Sequence, residues 1–168
     1  MKNYLSTFLV FVSLFIFSFQ VKAQIQLGGG LSFGAGISKL GINLRGLYDM
    51  DEKFVAAPGV NFFFKDKSIN DISLTYFSVD LDARYKLLKF GDRTEIFPVG
   101  GINVFRVGVK GNQTGLNIAD KGTKVGLNLG LGAQVESPVS NWNYFGEFKF
   151  TIGGIDQSTI TAGVLYGF

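Results

Sequence analysis

The sequence predicts an all-β fold: an eight-stranded, antiparallel, up-and-down transmembrane β-barrel behind a cleavable signal peptide. Three observations predict it. Beyond residue 24, apolar and polar residues alternate in one stretch after another, as in extended strands with one face in oil. The polar side of these stretches is mostly Gly, Asn, Ser and Thr, small enough for a lumen only wide enough for side chains. The composition is rich in Gly (23 residues) and aromatics (15%). Charged residues are only 17%, against roughly 25% in soluble domains.

The first segment stands apart from the pattern. Lys2 is followed by an apolar run from Leu5 to Phe19, broken only by Ser and Thr, and Val21-Lys22-Ala23 precedes Gln24. This is the layout of a secretory signal peptide cut after Ala23. The apolar run is short for a spanning helix, which takes about 20 residues. The chain therefore divides into a signal peptide, 1–23, and one barrel domain, 24–168. Removing Lys2 and Lys22 from the 16 Lys and Arg leaves 14, against 13 Asp and Glu. The basic balance of the whole chain thus belongs largely to the leader, and the barrel lacks the basic stripe that nucleic acid requires. With no cysteine, stability does not come from disulfides, and with no histidine the commonest general base is missing.

Taken in order, the strands read as follows. Ile25, Leu27, Leu31, Phe33, Ala35 and Ile37 alternate with Gly, Ser and Gln in the first. In the second, Ile42, Leu44, Gly46 and Tyr48 oppose Asn43 and Arg45, with Leu47 interrupting the polar side. Phe54, Ala56, Val60, Phe62 and Phe64 mark the third, which contains Pro58. The fourth, "YFSVDLDARYKL" (76–87), is strictly alternating: Phe77, Val79, Leu81, Ala83, Tyr85 and Leu87 against Ser78, Asp80, Asp82, Arg84 and Lys86. The fifth, from Glu95 to Val109, has apolar residues on both faces. Its Pro98 and Gly100-Gly101 predict a bulge. "KVGLNLGLGAQVE" (124–136), "WNYFGEFKFTI" (142–152) and the stretch from Thr159 to Phe168 complete eight. Most are long enough for a tilted crossing, which takes roughly 9–11 residues. The segment Lys110–Gly122 reads as the longest loop, with Leu116 and Ile118 as apolar anchors for a contact.

Alternation alone also fits a soluble, lipocalin-like barrel with the apolar face inward. Lipid outside is favoured by the small residues on the polar face and by the mixed signs of its charges. Asp80, Asp82 and Glu147 can pair across a lumen with Arg84, Lys86 and Lys149, since buried charges need partners. Asp82 or Glu147 is the expected partner of Arg84. Alternating strand direction also gathers Tyr48, Phe54, Tyr85, Phe97, Trp142, Tyr144, Tyr166 and Phe168 near one rim, like the aromatic girdle at a membrane interface. An even strand count returns the chain to the rim where it began.

The runs "VKAQ", "FPVGGINVFRV" (97–107), "KVGLNLGLGAQVE", "WNYFGEFKFTIGGIDQ" (142–157) and "GVLYGF" carry a resemblance. The chain resembles small outer-membrane β-barrel proteins of the Bacteroidota, PorT-like barrels with an OmpA- or OmpX-type architecture. The resemblance implies an integral outer-membrane location after signal-directed export. It also implies that Val164, Tyr166 and Phe168 form the assembly signal read by the outer-membrane insertion machinery. It brings no catalytic motif with it.

The remaining motifs point to structure. Asp80 and Asp82 have the spacing of a carboxylate pair, but Arg84 and Lys86 lie beside them. Asp49, Asp51 and Glu52 do not match a calcium loop. Asn112-Gln113-Thr114 is a three-residue glycosylation pattern that chance supplies readily. Gly34-Ala35-Gly36 is too short for a phosphate loop. A Ser-His-Asp triad is impossible without histidine. The expected protein is a non-enzymatic barrel with a structural or accessory role, alone or as a subunit of an envelope complex, requiring no cofactor or metal. Its expected partners are outer-membrane lipid, the insertion machinery and neighbouring envelope proteins, not nucleic acid. A narrow channel for small polar solutes or ions is the alternative, and lumen filling decides between them.

Overall fold

The computed structural model describes residues 25–67, 72–113, 116–153 and 156–168; the side chains of 65–67, 72–74, 109–113 and 116–121 lie outside that description. The expected cleavage after Ala23 also lies outside the described residues. Nine strands form one sheet among the described residues: β1 (Ile25–Gly34), β2 (Lys39–Asp49), β3 (Phe54–Lys67), β4 (Ile72–Tyr85), β5 (Leu88–Phe90), β6 (Thr94–Gln113), β7 (Leu116–Glu136), β8 (Trp142–Ile152) and β9 (Gln157–Gly167). β5 continues β4 along the same neighbour, β6, so the wall has eight staves. Each stave pairs antiparallel with its sequence neighbours, β1 with β9, and the β4–β6 pairing completes the closed barrel. Closure leaves no sheet edge around the barrel body. Ten residues at about 3.3 Å each, tilted by about 40°, cover roughly 25 Å, the height of an outer-membrane apolar band.

Alternation sorts the faces. Leu27, Leu31, Leu44, Leu81, Leu127, Leu129, Leu131, Phe150 and Ile160 stand exposed on the exterior, while Ser32, Asn43, Asn61, Ser78, Asn103, Asn128, Thr151 and Thr161 are buried in the lumen. The barrel is thus inverted relative to a soluble cavity protein. At the rim holding both described termini, Phe54 meets Tyr85 edge to face (5.1 Å between ring centroids), as Trp142 meets Tyr166 (5.2 Å) and Tyr166 meets Phe168 (5.1 Å).

Four expectations need correction. Phe97 is not a rim aromatic: it points into the lumen and is 1% exposed. Pro98 and Gly100-Gly101 make no bulge, because β6 keeps one register with β7 from Thr94↔Val135 to Gln113↔Leu116. Pro98 lies on the outward-facing parity, and the register irregularity falls instead between Phe63 and Asp66 on the β3–β4 seam. The first strand ends at Gly34 rather than Ile37, because residues 35–38 turn back, with Ser38 at φ 51° and its N–H donating to Ala35 O (3.2 Å). Finally, most of Lys110–Gly122 is not loop. β6 and β7 run to Gln113 and from Leu116, whereas β8 joins β7 only from Leu127, so this hairpin continues beyond the β7–β8 ladder.

The β2–β3 turn is held by Asp51, whose carboxylate accepts the N–H groups of Phe54 and Lys53, both at 2.7 Å. The Phe54 bond chiefly, then that of Lys53, holds the Asp51 carboxyl below its ordinary value. A depressed acid stabilises the fold above its unfolded pKa and loses that contribution as pH falls through the folded value. The Lys53 and Phe54 amide resonances should therefore shift with a common midpoint below about 3.9, the ordinary Asp value. A midpoint at or above it in an NMR titration would refute the bonded turn. A closed barrel satisfies its own backbone, so the protein should migrate differently on a gel before and after boiling. Unchanged migration together with a helical circular dichroism spectrum would contradict this fold.

Candidate functional site: the lumen charge network

The polar faces of β2, β4 and β8 place six charged side chains at mid-lumen. The carboxylate of Glu147 (β8) accepts two bonds from Arg45 (β2), Nη1 to Oε2 at 2.9 Å and Nη2 to Oε1 at 3.1 Å, and one from Arg84 Nη2 (β4) at 3.0 Å. Lys149 Nζ (β8) donates to Asp80 Oδ2 at 2.9 Å and Asp82 Oδ2 at 2.6 Å, and lies 3.7 Å from Glu147 Oε1. Three cations face three anions, so the cluster is neutral. All six residues are buried.

An amide and hydroxyl layer adjoins it. Asn103 and Asn128 donate to Asp80 Oδ1 (2.6 and 3.0 Å), Asn61 donates to Asp80 Oδ2 (2.9 Å), and Asn128 also donates to Asp82 Oδ1 (2.8 Å). Asn43 links Arg45 to Asn61, and Ser32 joins Asn61 to Thr161. Buried carboxylates are tolerable when their lone pairs are used in this way. On the terminal side, the Arg84 guanidinium lies 4.3 Å from the Phe97 ring centroid and that of Arg45 lies 4.5 Å from Phe145. These contacts favour a cation on an aromatic face. Arg84 Nε has no hydrogen-bond partner among the described residues, which makes the Phe97 contact the more important. Towards the loop end Phe63, Tyr76 and Phe105 cluster, with centroids about 6 Å apart.

Glycines make room for the large groups. In register, Arg45 lies between Gly28 and Gly59, Asp82 beside Gly101, Glu147 beside Gly132 and Lys149 beside Gly130. A Cβ on Gly130 would stand 2.9 Å from Lys149 Cγ, and one on Gly132 would overlap the Phe97 ring.

Of the six charges expected in the lumen, Asp80, Asp82, Arg84, Glu147 and Lys149 meet in the network. Lys86 does not: it lies just beyond β4 at the terminal mouth, half-buried and paired with Asp49 at 3.1 Å. The partner of Arg84 is Glu147, while Asp82 is held by Lys149. Arg45 is the member sequence reasoning left out. Its alternation with Asn43 was the available signal, obscured by Leu47, which is lumen-facing and packs with Val55, Ala57, Phe145 and Leu165. Val164, Tyr166 and Phe168 share the outward parity of β9, with Val164 and Phe168 exposed. Of the glycosylation pattern, Asn112 and Gln113 fall in β6 and Thr114 lies outside the described residues, as do the side chains of Leu116 and Ile118. Among the described residues, no three His, Cys, Asp or Glu side chains gather to hold a metal.

A closed eight-stranded antiparallel barrel with a packed polar lumen and an apolar exterior has the fold of outer-membrane barrels. The chain is similar to a major outer membrane protein from Thermus thermophilus (15% identity, TM-score 0.64, 88% of this chain and 100% of that one). It is also similar to the N-terminal β-barrel domain of Pseudomonas aeruginosa OprF (11%, 0.62, 86% and 97%) and to Ail, the attachment invasion locus protein of Yersinia pestis (15%, 0.57, 87% and 97%). No family model matches the sequence, and no curated protein matches it.

Glu147 neutralises two arginines, so Glu147→Ala should be the most damaging single change in the network. Breaking a buried pair costs about 3–5 kcal/mol. Lys89→Ala, at an exposed position in β5, should stay within about 0.5 kcal/mol. Arg84→Ala with Glu147→Ala should cost less than the two singles summed. Denaturant midpoints measure all three, and strict additivity would mean that Arg84 and Glu147 are not coupled.

Proposed function

We propose that the chain is an integral, non-enzymatic outer-membrane barrel whose sealed lumen is structural and whose contacts are made by its exterior and its ends. The observation that carries this is the pairing of a lumen filled by a neutral, hydrogen-bonded charge network with an exterior of exposed Leu, Ile and Phe. Export by cleavage after Ala23 belongs to the same reading, and so does placement among the small PorT-like barrels of the Bacteroidota. Both rest on the sequence runs quoted above. A structural or accessory role, alone or beside neighbouring envelope proteins, fits because the charged lumen groups are engaged with one another, leaving little for chemistry. The channel alternative needs an aqueous path. Arg45, Arg84, Glu147 and Lys149 occupy the middle of the lumen, and the clusters around Phe97 and Phe105 lie on either side.

Outer-membrane lipid covers the belt in this reading. The insertion machinery reads the outward residues Val164, Tyr166 and Phe168 at the end of the chain, where Tyr166 meets both Trp142 and Phe168 edge to face. The β6–β7 hairpin is the part best placed to meet a partner beyond the membrane.

Sucrose-gradient fractionation should place the mature protein in the outer membrane, resistant to carbonate extraction, and purified protein should give no large stable currents in planar bilayers. Carbonate-soluble protein would overturn the membrane reading, while steady conductance would overturn only the sealed lumen. Phe168→Ala should lower the inserted fraction while leaving secretion intact. Full insertion would remove the assembly role from Phe168.

A further inference from the structure

Among the described residues, the outer wall has an open apolar depression that alternation does not foretell. The β2–β3 ladder runs from Gly41↔Phe63 to Arg45↔Gly59 and resumes at Tyr48↔Ala56, skipping Gly46 and Leu47 opposite Pro58 and Ala57. Proline has no N–H to give a ladder. At this gap the exterior carries an open, shallow depression of about 540 Å³, lined by Leu27, Leu44, Gly46, Pro58, Val60, Val79 and Leu81. That volume is within the range of small-molecule sites, about 300–1,000 Å³. Between the hollow and the terminal rim the outward residues are small, Ala56 and Ala83, and then aromatic, Phe54 and Tyr85. Beyond the aromatics, the β2–β3 turn presents exposed Glu52 and Lys53 side by side.

We propose that this hollow holds one acyl chain of a zwitterionic phospholipid of the phosphatidylethanolamine class, with its headgroup at the β2–β3 turn. This rests on the membrane reading above. The polarity of the track matches the lipid from end to end. The depression is apolar, the rim is aromatic as at a headgroup interface, and the turn offers the Glu52 carboxylate for the ammonium and the Lys53 ammonium, which also faces Asp51, for the phosphate. The depth matches as well. From Lys53 to Pro58 is five residues, roughly 17 Å of strand at 3.3 Å each. With the tilt of the barrel, this puts the hollow about one leaflet into a hydrocarbon core roughly 30 Å thick.

Gly46 offers the test, because a Cβ there would meet only Leu27 Cδ2 at 3.3 Å, the end of a flexible side chain, at closer than 4.0 Å. Gly46→Leu therefore puts a side chain into the depression, and Ala83→Leu blocks the track towards the rim. Gly146→Leu is the control, outward on β8 with nothing within 4 Å of a Cβ. The full chain is reconstituted in bilayers of equal phosphatidylethanolamine and phosphatidylglycerol, extracted in mild detergent, and followed by native mass spectrometry through stepwise delipidation. Wild type and Gly146→Leu should retain one phosphatidylethanolamine at a step where Gly46→Leu and Ala83→Leu have lost it at least fivefold, all four remaining heat-modifiable. Equal retention in the filled and control variants, no retained lipid in wild type, or retention of phosphatidylglycerol instead overturns the proposal. Cross-linked dimers through Ala56→Cys, formed in the membrane before extraction, would assign the face to a second copy and overturn it too. A chain that does not enter bilayers at all fails at the membrane reading, before the lipid is counted, and takes this proposal with it.

Discussion

Everything inside this barrel depends on how two residues of β8 are neutralised. Glu147 and Lys149 are two positions apart on one lumen face and of opposite sign, and each reaches across to other walls: Glu147 to β2 and β4, Lys149 to β4 alone. None of these partners is on a strand adjacent to β8, whose ladders are with β7 and β9. The ion pairs therefore cannot form within a hairpin. They come together only as the sheet closes, and a half-closed sheet would hold six charges without their partners. The cost of an unpaired buried charge thus becomes a penalty on every partly closed state, which favours all-or-none closure.

The same constraint explains the glycines. A long charged side chain needs volume as well as a partner, and an eight-stranded lumen has almost none to spare. Asp80 and Asp82 would repel each other at about 7 Å along one strand face. One ammonium between them, together with Asn128 donating to both, settles them only if Lys149 can lie flat against β7. Gly130 allows that, as Gly132 allows Phe97 to lie under Arg84. The glycine-rich "GLNLGLG" of β7 is thus the complement of the charged "EFK" of β8, read across the ladder.

Strand positions and faces were legible because period two is a local property: Phe77 and Leu81 point outward in the structure for the reason they do in the sequence, while Asp80 and Arg84 point inward. Pairing is not local. Nothing near Arg84 distinguishes Asp82 from Glu147, because the choice depends on the register between strands far apart in sequence. The apolar lumen residues were misread for a related reason. Leu47 and Phe97 look like an interruption and a girdle residue if the lumen is imagined as wet. In a lumen filled by side chains they are packing partners: Phe97 lies on the Arg84 guanidinium, and Leu47 packs with Val55, Ala57, Phe145 and Leu165. Lys86 failed in the opposite sense. Alternation gave its parity correctly, but β4 ends at Tyr85, and one residue further the chain is already at the mouth.

A lumen closed in this manner constrains where function can be. A solute path would need the central charges to part, and every parted charge must find water or another partner in a space that Phe97, Phe105 and the asparagine layer already fill. Removing Glu147 alone would not open a path, since the two arginines it leaves would still block the middle and would now repel each other. What the barrel can vary without disturbing its interior is the exterior, where Pro58 and Gly46 break the wall's regularity, and the β6–β7 hairpin, which stands clear of the central network. In the proposed reading, contacts are therefore made at the surface, and the ionic interior is what keeps that surface in one shape.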